Sequence, residues 1–158
     1  MKATIIGLGL IGGSFALSLK DKGFCDEVMG ITRSERSAQK ALERGLVDRI
    51  VTMDEALEKS DLIVLATPVD TIALMATKIL NRIRPNQILM DMGSTKQELC
   101  ELTAMHPNRG RLVATHPMWG TEHSGPDAAV HGAFTSRTVV ICEKEASDAD
   151  AVEGGEKI

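Results

Sequence analysis

Two hydrophobic patterns alternate along the chain. Short, nearly continuous apolar runs predict buried β-strands, whereas longer stretches with apolar residues three or four positions apart predict helices with one buried face. The predicted strands cover residues 3–6, 28–31, 49–51, 62–66, 87–90, 112–114 and 138–142. The predicted helices cover residues 10–22, 34–44, 54–59, 72–83 and 95–105. Strands that alternate with helices in this way indicate an α/β domain with a mostly parallel sheet.

Small polar residues mark the starts of several of these helices. Ser34 is the candidate N-cap of the second helix, and Asp54 is the candidate N-cap of the short third helix. Ser94 or Thr95 is expected to cap the helix that follows the fifth strand. Serine and threonine caps are common, so capping explains Ser94 and Thr95 as well as contact with a ligand does.

Glycines at positions 7, 9 and 12 have the G-x-G-x-x-G spacing of a dinucleotide-binding turn, directly after the first predicted strand. Gly7 permits the tight turn, Gly9 leaves room for a diphosphate, and Gly12 lets the next helix lie close to the sheet. The free N–H groups at the positive end of that helix, which begins with Leu10 and Ile11, would attract the phosphates. The alternative is an ordinary glycine-rich turn between a strand and a helix.

The glycine spacing and the alternating elements together predict a Rossmann-type, doubly wound sheet with helices on both faces. Residues 1–145 are expected to form the NAD(P)-binding domain. Ser147-Asp148 resembles a helix start, but the chain stops soon after Gly154-Gly155, and so short a helix is marginal on its own. We interpret residues 146–158 as the start of a truncated C-terminal helical domain, with the remainder of that domain absent from this chain.

The residues after the second strand favour NADP over NAD as the cofactor. NAD-binding folds usually have an acidic residue there, which binds the ribose 2′-hydroxyl. This chain has Thr32-Arg33-Ser34 instead, with Arg36 nearby. A guanidinium flanked by hydroxyls would bind a 2′-phosphate through charge-assisted hydrogen bonds. The alternative is that Arg33 and Arg36 are solvated charges at the start of a helix.

Chemically active residues follow the later strands, at the edge where such sheets bind ligands. Gly93-Ser94-Thr95-Lys96 follows the fifth strand and brings a positive charge close to the strand end. The sixth strand leads into a loop with His116, the only tryptophan, Glu122 and His123. An imidazole can take a hydroxyl proton near neutral pH, so His116 is the candidate catalytic base. The spacing of the two histidines and Glu122 matches no usual zinc pattern, so no metal is predicted.

Composition excludes several other classes of protein. A formal net charge of -4 and only four aromatic residues, Phe and Trp together, disfavour nucleic acid as a partner. No apolar run approaches the ~20 residues needed to cross a bilayer, and the N-terminus lacks signal-peptide architecture. Three distant cysteines without a C-x-x-C pair indicate reduced thiols. We expect a cytoplasmic protein with a small-molecule substrate and no membrane partner.

Four stretches together resemble the prephenate/arogenate dehydrogenase family of tyrosine biosynthesis. They occur in the order and spacing typical of that family, and the last of them is the most specific. The stretches are Gly7-Leu8-Gly9-Leu10-Ile11-Gly12-Gly13-Ser14, Ala66-Thr67-Pro68-Val69, Asp91-Met92-Gly93-Ser94-Thr95-Lys96 and His116-Pro117-Met118-Trp119-Gly120-Thr121-Glu122-His123-Ser124-Gly125-Pro126.

The resemblance implies oxidative decarboxylation of prephenate or arogenate, with hydride transfer to the nicotinamide of NADP. It implies that His116 hydrogen-bonds the substrate 4-hydroxyl and helps remove its proton, and that Ser94 contacts the same hydroxyl. Thr67-Pro68-Val69 and Gly93 would line the cofactor. Lys96 and Trp119-Gly120-Thr121-Glu122 would lie on the substrate side. Thr32-Arg33-Ser34 resembles the NADP-using branch of the family.

The chain also departs from the family pattern. Family members carry a following helical domain that forms a homodimer and supplies basic residues for the substrate carboxylates, and we find no such domain in this sequence. Trp119 stands where a small residue is common. Two alternatives therefore stay open: a fragment of a 3-hydroxyacid-type NADP dehydrogenase, or a nucleotide-binding module with no turnover of its own.

Overall fold

The computed structural model describes residues 1–158, and its seven strands form one sheet. The strands are β1 (Lys2–Ile6), β2 (Glu27–Ile31), β3 (Arg49–Ile50), β4 (Leu62–Leu65), β5 (Ile88–Asp91), β6 (Leu112–Pro117) and β7 (Val139–Cys142). The helices are α1 (Leu10–Asp21), α2 (Glu35–Glu43), α3 (Met53–Lys59), α4 (Val69–Leu80), α5 (Gln97–Thr103) and α6 (Ala149–Lys157). No helix combines the length and the apolar character needed to span a bilayer.

The strand order is β3-β2-β1-β4-β5-β6-β7, which confirms the Rossmann-type, doubly wound fold. All neighbouring strands are parallel except β7, which pairs antiparallel with β6. The chain leaves β1 on one side toward β2 and reaches β4 on the other, so the strand order reverses between β1 and β4. A crevice forms at such a reversal, beyond the carboxyl ends of the strands.

The core is divided into two layers by the sheet, because successive side chains of a strand point to opposite faces. In β4, Leu62 and Val64 pack with α1, whereas Ile63 and Leu65 pack with α4 and α5. All four side chains are fully buried. This explains why the central strands are continuous apolar runs rather than alternating ones.

The predicted ends of α1 and α2 are confirmed, whereas α4 lies three residues earlier than its predicted range and α5 is shorter than its predicted range. Gly23 and Gly45 follow α1 and α2, both with φ of +64°, a conformation that favours glycine. Ser34 caps α2, since its hydroxyl accepts the Ser37 N–H. The prediction for α3 was wrong, because the cap is Thr52, whose hydroxyl accepts the Glu55 N–H at 3.2 Å. A threonine followed three residues later by glutamate is the capping-box pattern.

The start of α5 also differs from the prediction. The helix begins at Gln97, and neither Ser94 nor Thr95 caps it. Residues 93–96 instead turn around the buried Asp91 side chain, which binds the Gly93 N–H and the Lys96 ammonium. This arrangement leaves the Ser94 side chain exposed beyond the end of β5.

The C-terminal segment forms α6, which packs on β5 and β6 of the same sheet. Ala151 and Val152 are buried there. The buried Arg111 side chain binds both carboxylate oxygens of Asp150, at 2.8 and 2.9 Å. The helix is therefore supported by the nucleotide-binding sheet. Its assignment as the start of a following domain stays a prediction.

Candidate functional site

A cleft of 1030 Å³ lies beyond the carboxyl ends of the central strands. Its volume is sufficient for a dinucleotide together with a small substrate, since pockets for drug-sized ligands measure about 300–1,000 Å³. Five of the stretches singled out in the sequence contribute to its walls. They are Gly7, Gly9, Leu10 and Ile11; Thr32, Arg33 and Ser34; Thr67, Pro68 and Val69; Gly93 and Ser94; and His116, Trp119, Gly120 and Thr121.

The glycine turn between β1 and α1 forms the floor of the cleft. Gly7 has φ of +98°, and a Cβ atom on it would lie 2.6 Å from the Ala66 carbonyl oxygen, so only glycine fits. A Cβ on Gly9 would meet no heavy atom nearer than the Gly125 nitrogen at 4.0 Å. The space above Gly9 is therefore open, and the N-terminus of α1 points its free N–H groups there.

The segment after β2 forms one end of the cleft. Arg33 is exposed, and Ser34 and Ser37 lie beside it, with their hydroxyl oxygens 2.9 Å apart. Ser37 was missed in the sequence analysis, although its spacing of three residues from a candidate cap was a usable signal. A guanidinium and two hydroxyls at the start of a helix can together bind a phosphate group.

The candidate catalytic residues lie on the opposite wall of the cleft. His116 is half-buried and belongs to β6, which extends three residues beyond its predicted end. Ser94 lies exposed after β5, and the two residues line the same cleft. Pairing of His116 with Val140 of the antiparallel β7 holds the imidazole on a strand instead of a loop. A histidine on a strand is fixed more rigidly than one on a loop.

Asp91 occupies the end of β5, just below this wall. Its side chain is fully buried and receives N–H groups from Gly93 at 2.9 Å and from Thr115 at 3.1 Å. Burial raises the pKa of Asp91, and the neighbouring Lys96 ammonium opposes that rise. Lys96 neutralises the carboxylate, so the pair forms a buried ionic contact beside the cleft.

Four predicted site residues do not line the cleft. Gly12 lies against the sheet, where a Cβ would come 2.0 Å from the Gly7 carbonyl oxygen. Lys96 binds Asp91. Arg36 is an exposed residue of α2, and Glu122 is exposed on its loop, with its side chain 85% accessible. Among residues 1–158, no group of three or more His, Cys, Asp or Glu could hold a metal ion.

Residues 118–138, which we call the covering loop, run from β6 back across α1 and α2 before β7. Its residues Gly120, Thr121, His123, Ser124, Gly125 and Pro126 line the cleft. Trp119 and Phe15 of α1 both pack edge-on against Phe134, with ring centroids 5.6 Å apart in each pair. Arg44, the C-cap of α2, donates to the Pro126 and Ala129 carbonyls, and Lys40 of α2 pairs with Asp127. The loop is thus fastened to the helix that begins at the Arg33 end of the cleft.

The chain is similar to known proteins in both sequence and fold. The family model described as the prephenate dehydrogenase nucleotide-binding domain matches residues 15–157. The prephenate dehydrogenase of Bacillus subtilis (strain 168) is 33% identical over 158 residues, which cover 97% of this chain and 43% of that protein. The chain therefore spans less than half the length of this relative.

Two solved structures are similar over 99% of this chain and 55% of their own. One is prephenate dehydrogenase from Aquifex aeolicus in complex with hydroxyphenyl propionate and NAD+, at a TM-score of 0.88 and 27% identity. The other is arogenate dehydrogenase from Synechocystis, at a TM-score of 0.87 and 29% identity. Both similarities extend across the sheet, the glycine turn and the C-terminal helix.

Proposed function

The chain belongs to the prephenate dehydrogenase family through its nucleotide-binding domain, and we propose that it binds NADP for oxidative decarboxylation of prephenate or arogenate. The observation that carries this proposal is one continuous cleft that joins the glycine turn to His116 and Ser94. Relatives of the chain are dehydrogenases, which supports a nicotinamide cofactor. The choice of NADP rests on Arg33 and its neighbouring hydroxyls.

The cleft residues fit a dinucleotide by shape and charge. The open space above Gly9 accepts a diphosphate close to the backbone, where N–H groups of Leu10 and Ile11 can donate to it. Arg33, Ser34 and Ser37 offer a cation and hydroxyl donors to a 2′-phosphate, and no carboxylate lines that end of the cleft. Thr67, Pro68 and Val69 supply the wall between the two ends.

In the proposed reaction, His116 accepts a hydrogen bond from the substrate 4-hydroxyl. It removes the hydroxyl proton as the ring carbon that bears this hydroxyl is oxidised. Ser94 orients the same hydroxyl. A nicotinamide held by Thr67, Pro68 and Val69 would supply the acceptor for the hydride that leaves this carbon. Loss of the ring carboxylate as CO2 then leaves an aromatic ring. The substrate side of the cleft is lined by Trp119, Gly120 and Thr121. Gly93 leaves the wall beside Ser94 free of a side chain.

Calorimetry with NADP and with NAD tests the cofactor proposal. Arg33→Ala should weaken NADP binding by about 10- to 100-fold, the value of a charged hydrogen bond, and leave NAD binding nearly unchanged. Arg36→Ala is the matched control, because Arg36 is an exposed arginine of the same segment outside the cleft. An unchanged ratio of the two affinities in Arg33→Ala would refute the preference for NADP.

Turnover is tested by absorbance of the reduced cofactor when the protein is mixed with NADP and either prephenate or arogenate. Reduction with one of the two substrates is the expected result. Binding of NADP without reduction by this chain would instead favour the nucleotide-binding module. Restored turnover in a longer form of the protein would assign the missing contribution to residues beyond Ile158.

A further inference from the structure

Asp91 is the only carboxylate among the buried side chains of the molecule. It does not line the cleft, yet it touches both segments that carry the proposed chemistry. One carboxylate oxygen accepts the Gly93 N–H at 2.9 Å, and the other accepts the Thr115 N–H at 3.1 Å. Ser94 follows Gly93 directly, and His116 follows Thr115. Each proposed site residue is therefore one peptide unit away from the same side chain.

The Asp91 side chain continues the hydrogen bonding between β5 and β6 beyond their last paired residues. Regular pairing between β5 and β6 ends at Asp91 and Ala114, because the chain turns away after β5 while β6 continues. The next N–H of β6 that faces β5 is that of Thr115; no β5 residue pairs with it, so without Asp91 it would be an unpaired buried donor. The carboxylate accepts this donor, and the Thr115 hydroxyl in turn donates to the Asp91 carbonyl. The side chain thus extends the β5–β6 ladder by one step.

We propose that Asp91 is a positioning residue, which fixes the Ser94 turn and His116 relative to one another across the end of the β5–β6 ladder. The roles of Ser94 and His116 in this statement rest on the proposed function. Lys96 keeps the buried carboxylate charge-balanced, and a charged acceptor can hold two N–H donors at once. An apolar residue at position 91 would accept neither N–H, and an amide would offer one acceptor oxygen where the two donors now use separate oxygens.

The first variant is Asp91→Asn, which has the same shape but a single acceptor oxygen. At least one of the two N–H donors then loses its partner, so amide hydrogen exchange at Gly93 or Thr115 should accelerate by about tenfold or more. The second measurement is the rate at which diethyl pyrocarbonate modifies His116, followed by peptide mass spectrometry with and without saturating NADP. In the unaltered protein NADP should slow this modification, and in Asp91→Asn that protection should be lost.

Asp48→Asn is the matched control. Asp48 also accepts a backbone N–H, from Val28 at 2.8 Å, and a lysine ammonium, from Lys20 at 2.8 Å, but at the opposite edge of the sheet. It should affect stability without changing the exposure of His116. Modification of the exposed His131 serves as the internal reference in every sample.

Lys96→Met separates positioning from simple charge pairing. If Asp91 only balanced Lys96, then Asp91→Asn would change nothing further in a Lys96→Met background. If Asp91 positions the two segments, the double variant loses cofactor protection of His116, whereas Lys96→Met alone keeps it. The double variant also contains no unpaired buried ammonium, so it provides the measurement should Asp91→Asn alone fail to fold.

The results discriminate between the two proposals. Faster exchange at Thr115 or Gly93, together with lost protection of His116 in both Asp91→Asn backgrounds, supports positioning. Unchanged protection of His116 in the double variant overturns it. Failure of NADP to bind the unaltered chain would refute the proposed function instead. In that case, the Thr115 exchange rate and the modification rate of His116 without cofactor decide whether Asp91 positions the strand end.

Discussion

At the scale of single residues, Gly9 and Gly12 belong to one motif but meet opposite constraints. A Cβ on Gly12 would lie 2.0 Å from the Gly7 carbonyl oxygen and 2.8 Å from the Ala66 Cβ, whereas a Cβ on Gly9 would enter open space. Gly12 is therefore required by packing between α1 and the sheet. Gly9 is required only when a ligand approaches.

Alanine at each position should separate these two requirements. Gly12→Ala should reduce the free energy of unfolding by about 1–3 kcal/mol, because α1 must move away from the sheet. Gly9→Ala should unfold at nearly the same urea concentration as the unaltered protein but bind NADP much more weakly. Urea denaturation and calorimetry on both variants check this. Equal stability of the two variants would contradict the packing role of Gly12.

His116 should be needed for chemistry and not for cofactor binding. In a form of the protein that turns over, His116→Asn should reduce kcat by about 10²- to 10⁴-fold, the usual contribution of a general base. The affinity for NADP should stay within the error of calorimetry. His131→Asn is the control, since His131 is exposed and pairs with Asp21 of α1 outside the cleft. A small loss in His116→Asn would identify the histidine as structural.

Residue types and spacing predicted the glycine turn, the Ser34 cap and the position of His116 at the cleft. They did not predict the environment of Lys96, because a lysine near a strand end can face either a ligand or a neighbouring carboxylate. The deciding partner, Asp91, is five positions away in the sequence but adjacent in space. An acidic residue at the end of an apolar strand was the available signal, since a buried carboxylate requires donors and a countercharge.

At the scale of elements, a cluster of charges joins β2, β3 and α3 at one edge of the sheet. Arg49 binds Glu27 at 2.6 Å and Glu55 at 2.5 Å, and Lys59 binds Glu55 at 2.9 Å. Arg49 holds the pKa of Glu27 below its usual value, and Lys59 and Arg49 do the same for Glu55. The short strand β3 has only two residues, so these side chains supplement a weak ladder.

This cluster should make stability depend on pH in the acid range. A carboxyl group with a lowered pKa in the folded state stabilises the fold above its ordinary pKa and loses that contribution as pH falls through the lowered value. Thermal unfolding between pH 7 and pH 3 should show this decline, and Arg49→Met should flatten the curve. Arg82→Met is the control, because Arg82 pairs with Asp54 in the solvent. An identical slope in Arg49→Met would rule out the cluster as the cause.

Element types were predicted well because the period of the apolar residues differs between strands and helices. Element ends were predicted less well. The run 112–114 ends at the last apolar residue, whereas β6 continues to Pro117, since β7 and Asp91 supply hydrogen-bond partners that a linear pattern does not reveal. The covering loop likewise has no periodic signature. Its course depends on contacts of Arg44 and Lys40, which lie more than eighty positions earlier.

At the scale of the whole molecule, α6 completes one face of the sheet. The segment with Gly154 and Gly155 was expected to form only a marginal helix, because it is short, but both glycines lie against strands of the sheet. A Cβ on Gly154 would come 2.4 Å from the Ile88 Cδ1 atom, and one on Gly155 would come 3.2 Å from the Met90 Cε atom. These glycines permit close approach between helix and sheet. Packing of this kind overrides low helix propensity.

Removal of residues 149–158 should therefore destabilise the sheet domain. The deletion uncovers the strand face beneath Val152 and leaves the buried Arg111 without Asp150. Both losses destabilise the fold, because apolar surface becomes exposed and a buried guanidinium loses its bidentate partner, so the urea midpoint should fall. Arg111→Met in the shortened chain should recover part of the loss, because it removes a buried charge whose remaining partner is Asp148 at 3.3 Å. An unchanged midpoint after the deletion would mean that α6 contributes nothing to this domain.

The covering loop has a consequence for how cofactor choice and substrate choice can change over time. Its anchors are Lys40, in the helix that starts beside Arg33, and Arg44, the C-cap of that helix, while its cleft-facing residues line the same cleft as His116. A substitution that shifts this helix to suit another nucleotide must also displace the border of the proposed catalytic pocket. Under the proposed function the two preferences are therefore mechanically linked, and chimeras that exchange the loop and the helix together should retain activity better than chimeras that exchange either one alone.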